Sequence, residues 1–162
     1  IALEMASILE ERGVNNISVI LFDAILEDKK IMSFRSEINN EKILCQMKEQ
    51  MLKKGFTQNY ICQVAKACSS EIDIANDKIS YPLNTTKVIL FKACLPDTRF
   101  KDKFFCQRNN YILDLWDNNI TSVVAGDINI LNVPSHHGNI LEEIANHWSR
   151  YSSFFVSVMR HD

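Results

Sequence analysis

The sequence predicts an α/β fold built on a mostly parallel sheet. Three short, apolar, β-branched runs at residues 17–22, 88–91 and 128–133 alternate with longer stretches of helical periodicity. Runs this apolar suit strands covered on both faces, as in a parallel sheet flanked by helices. The order is helix, strand, helices, strand, loop and short helix, strand, helix, the alternation such a sheet requires.

Each element follows from its residues. Ile1, Met5, Ile8 and Leu9 stand at helical spacing and Gly13 stops the helix. The run ISVILF (17–22) is the first strand and ends at Asp23. From 28 to 80, Lys, Glu, Asn and Gln interleave with apolar residues as in several amphipathic helices, broken at Gly55 and restarted with Thr57 as an N-cap. This segment is far longer than the dozen or so residues a simple crossover needs, so it reads as a helical lid insertion. VILF (88–91), bracketed by Pro82 and Pro96, is the second strand. Residues 97–126 are irregular and rich in Asp and Asn, with a short helix near 111–116. Gly126-Asp127 turns into the third strand, 128–133, and residues 134–138 form a loop. The last helix is expected from Ile140 to about Phe155, with Leu141, Ile144, Ala145 and Trp148 on one face and Glu142 and Glu143 near its positive end, before a tail at 157–162.

Three strands are few for such a sheet, and the chain starts inside an amphipathic pattern without Met. It reads as the C-terminal part of one domain, residues 1–162, whose earlier strands precede residue 1. A part-domain of this kind is expected to self-associate or to be completed by its missing N-terminal part.

Composition narrows the function. Hydrophobic residues make up 46 %, enough for a core, and the formal net charge is -2, which favours neither a nucleic acid nor an anionic membrane as partner. No apolar run reaches the roughly 18 residues of a membrane span, and the first residues lack the basic region of a secretory signal. Cys45, Cys62, Cys68, Cys94 and Cys106 form no CxxC or metal-ligand spacing. Their odd number suits a reducing, cytoplasmic setting, and their expected role is as small buried hydrophobes.

Sites in open α/β sheets lie at the carboxyl ends of strands. Asp23 directly follows the first strand and His137 lies in the loop after the third. A carboxylate and an imidazole at neighbouring strand ends are what a nucleophile–His–acid relay needs. The plain alternative is that Asp23 is a turn former or cap and His137 an incidental loop residue. A metal site from His136, His137 and His147 has poor spacing. Cys62 or Cys68 as a nucleophile is disfavoured by its helical setting, and Ser135 stands too near His137 in sequence.

Two segments resemble a known family. ALEMASILEERG followed by ISVILFDA is similar to the part of nonribosomal peptide and polyketide synthetase thioesterase domains that follows the nucleophile elbow. VAGDINILNVPSHHGNIL resembles that family's histidine motif, with Ser135 in place of a Gly and Ile140-Leu141 in place of Met-Leu. Trp116 falls where the family often has a Trp. The resemblance implies an α/β-hydrolase fold with a helical lid, Asp23 as the triad acid and His137 as the triad His. His136 is the other ring in the motif, but the spacing to Leu141 favours His137. The G-x-S-x-G elbow and both oxyanion-hole donors would lie upstream of residue 1. The implied activity is hydrolysis or cyclising release of an acyl or peptidyl thioester from the phosphopantetheine arm of a carrier protein, with no cofactor of the enzyme's own. Without the nucleophile and the oxyanion hole, the chain by itself is expected to be inactive. Other expectations are a different α/β-hydrolase esterase, or a truncated, non-catalytic fragment.

Overall fold

The computed structural model describes residues 1–38, 40–74 and 82–159. Residues 75–80 of the expected lid and 160–162 of the expected tail lie outside the described residues, as does the side chain of Cys68.

Three strands, β1 (Ser18–Phe22), β2 (Lys87–Ala93) and β3 (Ile128–Val133), form an open parallel sheet in the order β1-β2-β3. Ser18 pairs with Lys87 and Phe22 with Phe91, and Val88 pairs with Ile128 and Ala93 with Val133. β2 is central and, after Lys87, buried along its whole length. It is longer than its VILF run because Lys92 is also buried, its ammonium donating to the Leu113 carbonyl at 3.1 Å. β1 corrects an expectation. Only Val19 and Leu21 are buried, and Phe22 is 38 % exposed. The strand is at the edge of this sheet, where one face is covered and the other only partly.

Helices cover both faces. On one, α1 (Ala2–Glu11) sets Leu3 and Ala6 against Val19, Leu21, Val88 and Leu90. On the other, Ile89, Phe91 and Val133 meet Ile140, Ile144 and Tyr151. The last helix is two: α6 (Ile140–Asn146) and α7 (Trp148–Met159), broken at His147. α6 buries Ile140 and Ile144, whereas Leu141 is 61 % and Trp148 51 % exposed. The buried stripe is therefore displaced from the expected one, because Ile140 and Ile144 are the α6 residues that pack with Ile89, Phe91 and Val133 of the sheet. α7 runs on through 157–159, part of the expected tail.

Between β1 and β2 the chain forms α2 (Lys29–Glu37), α3 (Asn40–Lys53) and α4 (Gln58–Ile74). Asp28 caps α2 by accepting from the Ile31 N–H at 2.7 Å. Gly55 supplies a positive φ of 83° between α3 and α4, and the Thr57 hydroxyl accepts from the Tyr60 N–H. α5 (Lys103–Asp114) is earlier and longer than the expected helix near 111–116. Asp102 starts it, accepting at 3.0 Å from the N–H groups of both Phe104 and Phe105. Trp116 is 66 % exposed. The cysteines also differ from expectation: Cys45, Cys62 and Cys94 are exposed and Cys106 is half-buried, and none of the four belongs to either buried apolar cluster. Among the described residues no helix is long and apolar enough to cross a membrane.

Candidate active site

The site lies at the carboxyl edge of the sheet. Asp23 is the last residue held by the β1–β2 ladder, its N–H donating to the Phe91 carbonyl at 2.7 Å. Its φ of 48° is left-handed, a region that Asp enters more easily than most residues. The chain bends there, and the 5 % exposed carboxylate lies over the strand ends. Oδ1 accepts from the Ala93 N–H at 3.0 Å and from the Asn118 amide at 3.1 Å. Oδ2 is 2.8 Å from Nδ1 of His137. Burial pushes the Asp23 carboxyl up, but the hydrogen bonds from His137, Ala93 and Asn118, with the charge of His137, together hold it below the usual carboxylate value.

His137 opens the 3-10 turn four residues beyond the end of β3. Its side chain is 68 % exposed. Among the described residues its one hydrogen-bond partner is Asp23. A carboxylate on Nδ1 selects the tautomer with a proton there and leaves Nε2 basic, the arrangement a general base requires.

His136 goes elsewhere. Its Nδ1 is 3.9 Å from Asp97, which also takes two side-chain hydrogen bonds from Arg99, at 2.8 and 2.6 Å. Burial and the Arg99 charge hold the His136 imidazole below its usual value against the pull of Asp97. Gly138 lets this cluster come close: a Cβ there would run into the Arg99 guanidinium. Ser135 is buried, its backbone N–H donating to the Val133 carbonyl at 2.7 Å.

Asn118 is the site residue that sequence reasoning missed. It is fully buried, with a left-handed φ of 53°. Its amide bridges Asp23 Oδ1 and the Ala24 carbonyl, at 3.1 and 3.2 Å, and its own carbonyl accepts from the Leu26 N–H. Asn119, also left-handed, donates to the Leu26 carbonyl at 3.1 Å. Asp117 holds the loop by accepting from the N–H groups of Asn119 and Thr121 and from the Thr121 hydroxyl. The signal available was Asp-Asn-Asn itself, a run suited to left-handed turns.

Beside the dyad is a cavity of about 580 Å³. α3 contributes Met47 and Met51, α5 contributes Phe105, Ile112 and Leu113, and Asp23, Ala93 and His137 lie along it. Its size and largely apolar wall suit an organic ligand rather than an ion. Among the described residues no group of three or more His, Cys, Asp or Glu side chains is placed to hold a metal. Neither protein-family models, characterised proteins nor solved structures yield a match to this chain.

Proposed function

We propose that the chain carries the acid–base half of a serine thioesterase of the α/β-hydrolase type. The observation that carries this reading is the 2.8 Å contact between Asp23 and His137, residues 114 positions apart, at the carboxyl edge of a parallel sheet. The apolar cavity at the same place supports an acyl substrate.

In this reading the nucleophile is a serine on a segment outside these 162 residues. His137 Nε2 takes the hydroxyl proton as the serine attacks the thioester carbonyl. It then returns that proton to the sulfur of the departing phosphopantetheine arm. Asp23 stabilises the imidazolium between those steps and keeps the ring in register. Water, or a nucleophile within the acyl group, releases the product by the same proton transfers. The helices α2–α4 act as the lid over the acyl chain. The reacting partner is an acyl or peptidyl carrier protein.

The test uses the parent protein that contains the serine segment. It should gain one fluorophosphonate adduct by intact mass and hydrolyse a carrier-bound acyl thioester faster than a simple nitrophenyl ester. Asp23→Asn should lower kcat by about 10⁴-fold and His137→Ala by about 10⁶-fold, the losses seen for the acid and the base of well-studied triads. A faster ester rate would reassign the enzyme to the esterases. Wild-type rates in both variants would remove Asp23 and His137 from the chemistry.

A further inference from the structure

The cavity wall is not electrically neutral. Lys54, Arg99 and Arg108 line it against two carboxylates, Asp23 and Asp97. Both carboxylates are committed. Asp23 is shared among His137, Ala93 and Asn118, and Asp97 is bound by Arg99 through both oxygens. Lys54 has no carboxylate partner among the described residues, but it is exposed at the rim.

Arg108 is different. Only about a fifth of its side chain is exposed, and its counter-ion is shared. Glu27 lies 2.7 Å from Arg35 through one oxygen and 3.4 Å from Arg108 through the other. One carboxylate thus serves two guanidinium groups, and Arg108 has the longer contact. Desolvation lowers the Arg108 pKa from its usual value although Glu27 opposes this, and the Arg35 charge adds to the lowering. A partly buried guanidinium with a weak, shared partner keeps donors for another anion. Asn109, the next residue, also lines the cavity and brings an amide.

Position along α5 defines the geometry. Leu113 is tied to β2 through Lys92, next to Ala93 and so next to Asp23. Arg108 is five residues earlier on the same helix, about 7.5 Å along its axis. An acyl group with its reacting carbonyl at the dyad would bring a polar group several bonds away to Arg108.

We propose that the cavity selects acyl groups bearing an anionic group, a carboxylate in the simplest case, which pairs with Arg108 at a distance from the Asp23–His137 end. This names a substrate class for the thioesterase reading and rests on it for the orientation of the acyl group.

The test is binding to the 162-residue chain, which needs no nucleophile. The probes are the monomethyl ester of octanedioic acid, whose two carboxyl carbons are seven bonds apart, and its dimethyl ester, compared by calorimetry near pH 7. The esterified end removes the ambiguity of a product carboxylate at the dyad. The half-ester should bind about tenfold more tightly, the scale of one charge-assisted hydrogen bond. Arg108→Gln should abolish the difference, and Lys54→Gln should keep most of it. If Arg108→Gln does not fold by circular dichroism, Glu27→Gln decides: freeing Arg108 from its counter-ion should widen the preference. Equal affinities, no binding of either probe, a preference unchanged in Arg108→Gln, or one that does not widen in Glu27→Gln would each overturn the proposal. None of these results bears on the fluorophosphonate and thioester assays. A charge preference without hydrolysis in the parent would instead leave a binding site for acidic amphiphiles.

Discussion

Asp23 and His137 meet because one follows β1 and the other lies in the turn after β3, and the third member of the arrangement is Asn118. Asp23 uses both oxygens: Ala93 and Asn118 fix its direction through Oδ1, independently of the Oδ2 contact with His137. Asn118 must meet two demands, an amide donor and a left-handed backbone. Asn118→Gly keeps the backbone and loses the amide, and should cost about 1–2 kcal/mol in urea unfolding. Asn118→Ala loses both and should cost about 1 kcal/mol more, from the left-handed strain. Equal costs would mean that the turn carries no strain. Of these three residues, Asp23 and His137 were legible from their strand-end positions and the motif resemblance. Asn118 was not, because its partner is 95 positions away and a run of Asp and Asn reads as any loop. The choice of His137 over His136 rested on one spacing, and the structure separates the two rings: one meets Asp23, the other faces Asp97.

Elements are tied together by capping carboxylates at several points. Glu10, on the last turn of α1, accepts from the N–H groups of Asn84, Thr85 and Thr86 and from the Thr86 hydroxyl, at 2.6–3.0 Å. This clamps α1 to the segment leading into β2. Desolvation pushes the Glu10 carboxyl up, but these four bonds outweigh it and lower the carboxyl to about 2. A depressed folded value contributes stability above the unfolded value of 4.5, and that contribution is lost as pH falls from there to about 2. Urea unfolding at pH 7 should show Glu10→Gln less stable by about 1–3 kcal/mol, a figure moderated by solvent at this half-exposed site. At pH 2 the two proteins should converge. An undiminished gap there would assign the loss to packing. Helix existence in 1–12 and 28–74 followed from apolar spacing. The start of α5 did not, because Asp102 is one of many Asp residues in an irregular stretch and only its accepted bonds distinguish it as a cap. The break at His147 was likewise hidden, since the sequence there keeps a helical texture.

At the scale of the molecule, β2 divides two cores, and Phe91 is the largest side chain it buries on the α6–α7 side. Its ring lies 5.4 Å from Phe22, 5.1 Å from Phe155 and 5.8 Å from Tyr151 between centroids. Its carbonyl also receives the Asp23 N–H. Phe91→Ala should destabilise the chain by about 3–5 kcal/mol, the range for a buried aromatic truncation. Because Phe91 supports Asp23, the variant should also loosen the Asp23–His137 contact, read as a loss of the His137 Nδ1 proton signal by NMR at a temperature where the fold persists. An unchanged signal would show that the dyad is positioned independently of this core.

The sequence by itself determined the class of fold, the three strands, their parallel arrangement as an expectation, and the two residues that meet at the strand ends. These rest on local causes: apolar runs, helical periods, and the rule that strands of a parallel sheet bring their carboxyl ends together. Tertiary structure alone decided which faces are buried, as at β1 and α6, where the covering element lies far away in sequence. It also decided which carboxylate partners which cation. Glu27, Arg35 and Arg108 are three unremarked charges in the chain, and only their packing leaves Arg108 with half of a counter-ion at the cavity wall.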